Sequence, residues 1–337
     1  MSYSEAKNFF EKYIGDDAEK FAALPQSGSA RQNFVAEYQN KEYIVTVNTN
    51  IPENESFFYF SEVFSKLELN TPQIFSISED RRIYIQSHLG ANTLSDILQK
   101  EGLTENVKNL VKRSLFHLYN VQITTLNKID YSQTFEYEKY NEIPVLHDLF
   151  YFKFMFADVL EVHYHKTRLI NEFKNLVKII ENLTPQGLMI RDFQSRNIMI
   201  NEKSEVSFID YQSAMYGPLM YDVTSFLYQA KANFPQDFRD EMLSYYFGLW
   251  NNEKTEEELK KQLAPLQLIR FIQVLGVYGF RGLVQKKQHF INSIPQGIEN
   301  LYQLSISWSE MKNFPELHSI IQQLHQESTL KKVKELA

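Results

Sequence analysis

The stretch Gly187-Leu188-Met189-Ile190-Arg191-Asp192-Phe193-Gln194-Ser195-Arg196-Asn197-Ile198-Met199-Ile200 interrupts an otherwise helical region. It continues through Asn201-Glu202-Lys203-Ser204-Glu205 into Val206-Ser207-Phe208-Ile209-Asp210-Tyr211-Gln212. Two short apolar runs, 198–200 and 206–209, flank a polar turn and read as a β-hairpin. A four-residue turn at 202–205 sets Ile200 opposite Ser207 and Asn197 opposite Asp210. The open end of the ribbon then holds a carboxamide facing a carboxylate, with Asp192 just upstream in a polar loop. Hard oxygen ligands on adjacent strands beside a third acid suit Mg²⁺, which often keeps waters and substrate phosphates in its shell. Asp and Asn at strand ends are also common turn formers, so the same residues fit a purely structural turn.

Upstream, the first ~85 residues read as a small sheet with one inserted helix, by period-2 and period-3.6 patterns. Ser2 and Glu5 stand at capping-box spacing before a helix that Gly15 can stop. Strand-like patterns run from Leu24, with 34–38 and 43–47 joined by a polar turn at 39–42. Residues 55–67 carry helical apolar spacing, and 74–77 with 82–85 read as a second hairpin. After Gly90 the character turns helical: 93–98, 107–126, 145–183, 223–248 and a charged-faced helix at 256–263. The tail from Pro315 reads as one or two surface helices. The boundary falls near 87–92, giving lobes 1–88 and 89–337 and an α+β class.

The 337 residues fit about two domains or one two-lobed domain. A 43% hydrophobic and 23% charged composition is that of a folded globular chain. With 42 acidic against 35 basic residues the net charge is −7, which argues against a general nucleic-acid-binding surface. The absence of cysteine excludes disulfides, thiolate metal sites and Cys nucleophiles. No uncharged apolar run reaches ~18 residues, so no transmembrane span is expected. The N-terminus lacks a long apolar stretch, so no secretory signal is expected and the location expected is cytoplasmic. No nucleic-acid, membrane or obligate protein partner is implied.

Asp192, Asn197 and Asp210 in this order resemble the catalytic loop and metal-binding acid of the protein-kinase-like fold. The closer resemblance is to the aminoglycoside/choline phosphotransferase family. Within it the best match is to bacterial kinases of the anomeric hydroxyl of N-acetylmuramate and N-acetylglucosamine. Four stretches carry this: 191–199, 209–212, Gly217-Pro218-Leu219-Met220-Tyr221-Asp222-Val223-Thr224-Ser225-Phe226-Leu227, and 267–280 with Leu275-Gly276-Val277-Tyr278-Gly279-Phe280. The resemblance is strong over 187–295 and weak before 85.

The resemblance implies a two-lobed fold, a small antiparallel-sheet N-lobe and a mostly helical C-lobe. It implies an ATP-dependent kinase of a small-molecule hydroxyl substrate. Asp192 would orient the attacking hydroxyl, Asn197 and Asp210 would hold Mg²⁺, and Asp222 would brace the catalytic loop. Arg191 and Arg196 flank the acid; one is expected to pin the loop and the other to meet substrate phosphate or carboxylate. Gln86 and His88 fall where an interlobe hinge would meet adenine. Ser27-Gly28-Ser29-Ala30 fits either a phosphate-covering loop or an ordinary hairpin turn. The chain departs from the pattern at Ile190, where a histidine often stands, and in strand 43–47, which lacks the usual lysine. Lys41 lies at that strand's edge, and Arg31 is the alternative cation. An aminoglycoside or amino-alcohol acceptor, and a catalytically silent kinase fold, remain open alternatives at this level.

Overall fold

A computed structural model describes residues 3–25 and 31–336. Packing groups the chain into two compact units, Met1–Glu138 with Ile190–Met215, and Lys139–Met189 with Tyr216–Ala337.

The first unit opens with helix α1 (Tyr3–Ile14), which ends at Gly15 in the left-handed region (φ 72°). Glycine takes that conformation without the Cβ penalty, and its N–H bonds the Glu11 carbonyl at 2.8 Å. Ser2, half of the expected capping pair, lies outside the described residues. Five strands follow: β1 (Lys20–Ala23), β2 (Gln32–Tyr38), β3 (Lys41–Val47), β4 (Ile74–Ile77) and β5 (Ile83–Ser87). They form an antiparallel sheet in the order β1-β2-β3-β5-β4. The edge strand β1 precedes the Leu24 start read from the sequence; pairing with β2, rather than an alternating pattern, makes it a strand. The β2–β3 turn needs only Gln39 and Asn40, both left-handed (φ 52° and 58°), rather than 39–42. Two such residues match the strand twist, so Glu42 joins the ladder opposite Glu37.

The sheet has two apolar faces. On one, Phe34, Ala36, Val45, Val47, Ile83 and Ile85 pack with Ala6 and Phe10 of α1. On the other, Tyr84 meets Phe57 and Phe58 of helix α2 (Ile51–Lys66) at ring-centroid distances of 5.4 and 5.1 Å. Period 3.6 puts Phe57, Phe60 and Phe64 on one buried stripe.

Strands give way to helices after Ser87, as the sequence suggests. Strand β6 (Asn92–Thr93) then pairs with Ile198–Ile200, so the hairpin that follows Asp192 belongs to the sheet-bearing unit. Helix α3 (Leu94–Glu101) starts in a complete capping box between Thr93 and Asp96. Helix α4 (Glu105–Thr124) holds the hairpin tip, with Arg113 Nη1 donating to the Ser204 carbonyl at 2.9 Å. These contacts group 89–138 and 190–215 with the sheet, so the compact units divide the chain differently from 1–88 and 89–337.

The second unit is helical, with Gln186–Met189 and Met215–Pro218 as a two-stranded sheet. The helical pattern over 145–183 is broken into Glu142–Phe152, a π-helical turn Lys153–Ala157, and Lys166–Glu181. The pattern over 223–248 is broken at Pro235 into Met220–Leu227 and Gln236–Leu249. The helix expected at 256–263 runs from Glu253 to Tyr278 through Pro265. Its fully buried Leu266, Leu268, Ile269, Ile272 and Leu275 form the unit's axis, against Glu142–Phe152, Met220–Leu227 and Ile294–Ser307. With its continuation to Val284 it is long and apolar enough by composition to span a membrane, yet most of its apolar window is buried in this unit. In the tail, Leu317, Ile320, Ile321 and Leu324 are fully buried, so Pro315–Leu324 is a core helix rather than a surface one. Glu172 caps it, accepting from the backbone N–H groups of Glu316 and Leu317, each at 2.8 Å.

Candidate active site

The hairpin pairs Ile198 with Phe208, Met199 with Ser207 and Ile200 with Val206. This corrects the register read from the sequence by one residue. The loop spans 201–205 and is closed by Asn201, whose N–H reaches the Glu205 carbonyl at 3.2 Å. Its side-chain Oδ1 accepts from the Lys203 and Glu205 amides at 3.0 and 2.9 Å, and Ser204 turns left-handed (φ 59°). Asn197 therefore lies opposite Ile209, whose N–H donates to the Asn197 carbonyl at 3.1 Å.

Asp210 still reaches Asn197, because the backbone leaves the ladder there with φ 67°. Asn197 Nδ2 donates to Asp210 Oδ2 at 3.1 Å and to the Asp192 carbonyl at 2.9 Å. One carboxamide thus ties the catalytic-loop candidate to the strand-end acid. A left-handed aspartate costs on the order of 1–3 kcal/mol, so its surroundings must hold it. Helix α2 does so. Tyr211 stacks on Phe57 (5.0 Å) and meets Phe64 edge-on (5.1 Å), and its hydroxyl lies 2.7 Å from Ser61 Oγ. Ser56 Oγ donates to the Gln212 carbonyl at 2.7 Å.

The Asp210 carboxylate is surrounded by donors. Its Oδ1 accepts from the Arg31 guanidinium and, at 3.0 Å, from Gln212 Nε2. Arg31 Nε lies 3.6 Å from Glu53 Oε1 in the first turn of α2, and Glu53 Oε2 accepts from Asn48 Nδ2 at 3.0 Å. Burial alone would raise the Asp210 pKa, but Arg31, Gln212 and Arg196 hold it below the usual carboxylate value. Burial disfavours the Arg31 charge, and Asp210, Tyr84 and Glu53 together more than offset this, so the guanidinium stays charged. The donor set fits Mg²⁺: one ionised carboxylate and one carboxamide, with water and phosphate oxygens for the other positions. Asn197 must then turn its oxygen rather than its NH₂ toward the ion.

Asp192 is half buried, and among the described residues no donor reaches its carboxylate. Arg191 is left-handed (φ 73°) and its Nη1 bonds Glu136 Oε2 at 2.6 Å, which pins the loop. Arg196 stands exposed on the turn Ser195–Asn197. Gln86 points along the sheet, donating to Thr46 Oγ1 at 3.0 Å, and Thr46 donates to Asn33 Oδ1 at 2.8 Å. His88 Nδ1 faces Glu42 Oε2 at 2.8 Å. Ser27, Gly28 and Ser29 lie outside the described residues. Lys41 is the exposed first residue of the central strand β3, opposite Tyr38, at the other end of the β2–β3 ladder from Gln32 and the Arg31 that precedes it. Asp222 is fully buried in the second unit, in the first turn of Met220–Leu227. Sequence reasoning missed Glu53 and Glu136. An acid in the first turn of the single helix inserted between the strands was the available signal for Glu53.

The sequence profile of the phosphotransferase enzyme family matches residues 22–260. The chain is 21% identical over 294 residues to an N-acetylmuramate/N-acetylglucosamine kinase of Neisseria meningitidis serogroup B, covering 83% of this chain and 84% of that protein. Among solved structures it superposes on a thermostable mutant of aminoglycoside phosphotransferase APH(4)-Ia in its apo form with a TM-score of 0.60 at 16% identity, covering 89% and 98% of the two chains. Choline kinase LicA from Streptococcus pneumoniae gives a TM-score of 0.60 at 14% identity, covering 90% and 100%. A ternary complex of the same aminoglycoside phosphotransferase with ADP and hygromycin B gives 0.58 at 15% identity, covering 88% and 97%. These structures establish a kinase-like fold with a small antiparallel sheet and a helical portion, as the sequence resemblance implied. The family profile spans well over half of the chain, which therefore belongs to the phosphotransferase enzyme family and is a small-molecule kinase.

Proposed function

We propose that this kinase transfers the γ-phosphate of ATP to a hydroxyl of an amino sugar of the N-acetylmuramate or N-acetylglucosamine type, in the cytoplasm and in cell-wall recycling. The observation that carries the reading is the match to the Neisseria kinase, which runs through 83% of this chain and 84% of that one. The stretches at 217–227 and 267–280 support it, because they lie outside the catalytic loop and bear on subfamily rather than on chemistry.

The sugar hydroxyl oxygen bonds the γ-phosphorus as the bond to the β–γ bridging oxygen breaks, and ADP leaves with that oxygen. The Asp192 carboxylate, which no donor reaches among the described residues, orients the hydroxyl and takes its proton. Mg²⁺ held by Asp210 and Asn197 would neutralise charge on the transferring group. Asn197 keeps the loop carrying Asp192 beside Asp210, and the Arg191–Glu136 pair fixes that loop's other side. Arg196 is left to face a substrate anion from its exposed turn. Gln86 in β5 and His88 just after it would meet the adenine.

A second reading, an aminoglycoside or choline acceptor, is favoured by the kinases of those compounds among the superposed structures. Purified protein with Mg·ATP is screened for ADP release against N-acetylmuramate, N-acetylglucosamine, an aminoglycoside panel and choline. Turnover confined to the amino sugars supports the proposal, and turnover on aminoglycosides or choline alone replaces it with the second reading. No turnover on any acceptor, with nucleotide still bound, identifies a silent kinase fold.

A further inference from the structure

Strand alternation shows what β3 lacks. Tyr43, Val45 and Val47 face the α1 core, so Ile44 and Thr46 face the opposite side of the sheet, where Tyr84 meets α2. Thr46 lies directly across the ladder from Tyr84 on β5 and from Asn33 on β2. It is the inward β3 position nearest α2, and it is a short neutral residue bonded to Asn33 and Gln86. The cation at this place comes from another strand. Arg31, just before β2, sends its guanidinium to Asp210 and sets its Nε 3.6 Å from Glu53. Tyr84 registers the overlap: burial drives its pKa up to about 12, while Arg31 and Thr46 both act on its hydroxyl in the opposite sense. Arg31 Nε is buried 3.6 Å from Glu53 with no hydrogen-bond partner among the described residues, so one of the guanidinium's donors is not yet satisfied.

We propose that Arg31 is the phosphate-holding cation of this kinase, delivered from the start of β2 in place of a β3 lysine, with Glu53 as its positioning residue. The inference rests on the nucleotide-binding part of the reading above and is independent of which acceptor is used. A guanidinium presents a planar fork to phosphate oxygens and stays charged under any physiological condition, so the substitution is chemically sound. Asn48 holds Glu53 from behind, and Glu53 keeps Arg31 beside the corner when Asp210 turns to a metal ion. The small Thr46 leaves room for the arriving side chain; a lysine at 46 would bring a second cation beside the Arg31 guanidinium.

The test is to move the charge back. Calorimetric titrations with ADP, with Mg·ADP and with adenosine are run on the wild type, Arg31→Met, Arg31→Lys and the double variant Arg31→Met/Thr46→Lys. Melting temperature is recorded for each. Arg31→Met should weaken ADP binding at least tenfold and leave adenosine binding unchanged, because only the phosphates lose a partner. Adding Thr46→Lys should recover most of that loss, and Arg31→Lys, which keeps the charge, should lose less than Arg31→Met. Unchanged ADP affinity in Arg31→Met overturns the proposal. So does an equal loss for ADP and adenosine, or a loss that neither lysine variant repairs, since each makes Arg31 a brace for Asp210. If the wild type binds no nucleotide, the kinase reading itself fails, which is a different result from any of these.

Discussion

Asp192→Asn separates chemistry from structure in this fold. The Asp192 carboxylate receives no hydrogen bond among the described residues, and the loop is anchored instead through its backbone carbonyl, which accepts from Asn197 at 2.9 Å. The isosteric amide leaves that anchor in place. The folding cost should therefore stay within about 0.5 kcal/mol, the range of substitutions that break no contact. The kinetic cost is far larger. A positioned general base contributes roughly 10²–10⁴ in rate, equivalent to ~2.7–5.5 kcal/mol of barrier at 1.36 kcal/mol per factor of ten. An ADP-release assay on the preferred acceptor reads the rate, a thermal melt reads stability, and titration with Mg·ADP reads the nucleotide site. The expected result is turnover down by at least a hundredfold with melting and Mg·ADP affinity unmoved. Turnover within threefold of wild type would refute the assignment of the base. A fall in melting temperature beyond about 3 °C would mean that the carboxylate carries structural load that its surroundings do not show.

Asp210→Ala removes the partner of Arg31 and one candidate metal oxygen together, so calorimetry should show Mg·ATP affinity lost and its Mg²⁺ dependence flattened; unchanged binding sinks the metal role. In the second unit, Gly279→Ala puts a Cβ at 2.1 Å from the Met155 carbonyl oxygen, a backbone atom that cannot swing away. Overpacking of this kind typically costs about 1–3 kcal/mol, and a chemical melt of the variant should show it. His117, half buried against Phe208, has its pKa lowered by burial first and by Arg113 second. The unfolded chain thus takes up a proton that the folded chain resists as pH falls below about 6.5, so this contribution to stability is complete above that pH and is lost below it. His117→Gln should flatten the acid-side slope of stability against pH, and an unchanged slope assigns the acid sensitivity to other groups. Glu172→Ala strands two backbone N–H groups of the Pro315–Leu324 helix and should lower stability by ~1–2 kcal/mol, measured by denaturant titration, whereas Glu172→Gln keeps an acceptor and should lose less.

The features legible in the sequence are those fixed by short spacing. The aromatic stripe of α2 shows at 57, 60 and 64 because a helix returns every 3.6 residues. The hairpin shows because apolar runs flank a polar turn, but its register does not, since one left-handed serine and one asparagine side chain set the loop length. The helix through Pro265 is underestimated for a related reason. Proline removes a backbone bond at a cost of about 3 kcal/mol, and only the burial of the flanking Leu259, Leu266 and Ile269 carries the helix across it. Burial of that kind is a property of the partners, not of the segment. The same holds for β1, whose four residues carry no alternation of their own.

The candidate site divides along the same line. Asp192 and Asn197 are five residues apart, and Asn197 and Asp210 thirteen; a loop and a hairpin fix these offsets, so the corner is written in the local sequence. Arg31 meets Asp210 across 179 residues. Nothing in phosphoryl transfer requires a phosphate-holding cation to come from a particular strand. It requires positive charge at one point, and any element whose side chain reaches that point satisfies it. A carboxylate and carboxamide that share a metal ion have no such freedom, because both must meet one coordination sphere. The candidate metal corner therefore keeps its sequence spacing, whereas a phosphate-holding cation is free to come from another strand; on the proposal above, the approach to β2, the neighbour of the strand that lacks the expected lysine, supplies it as Arg31.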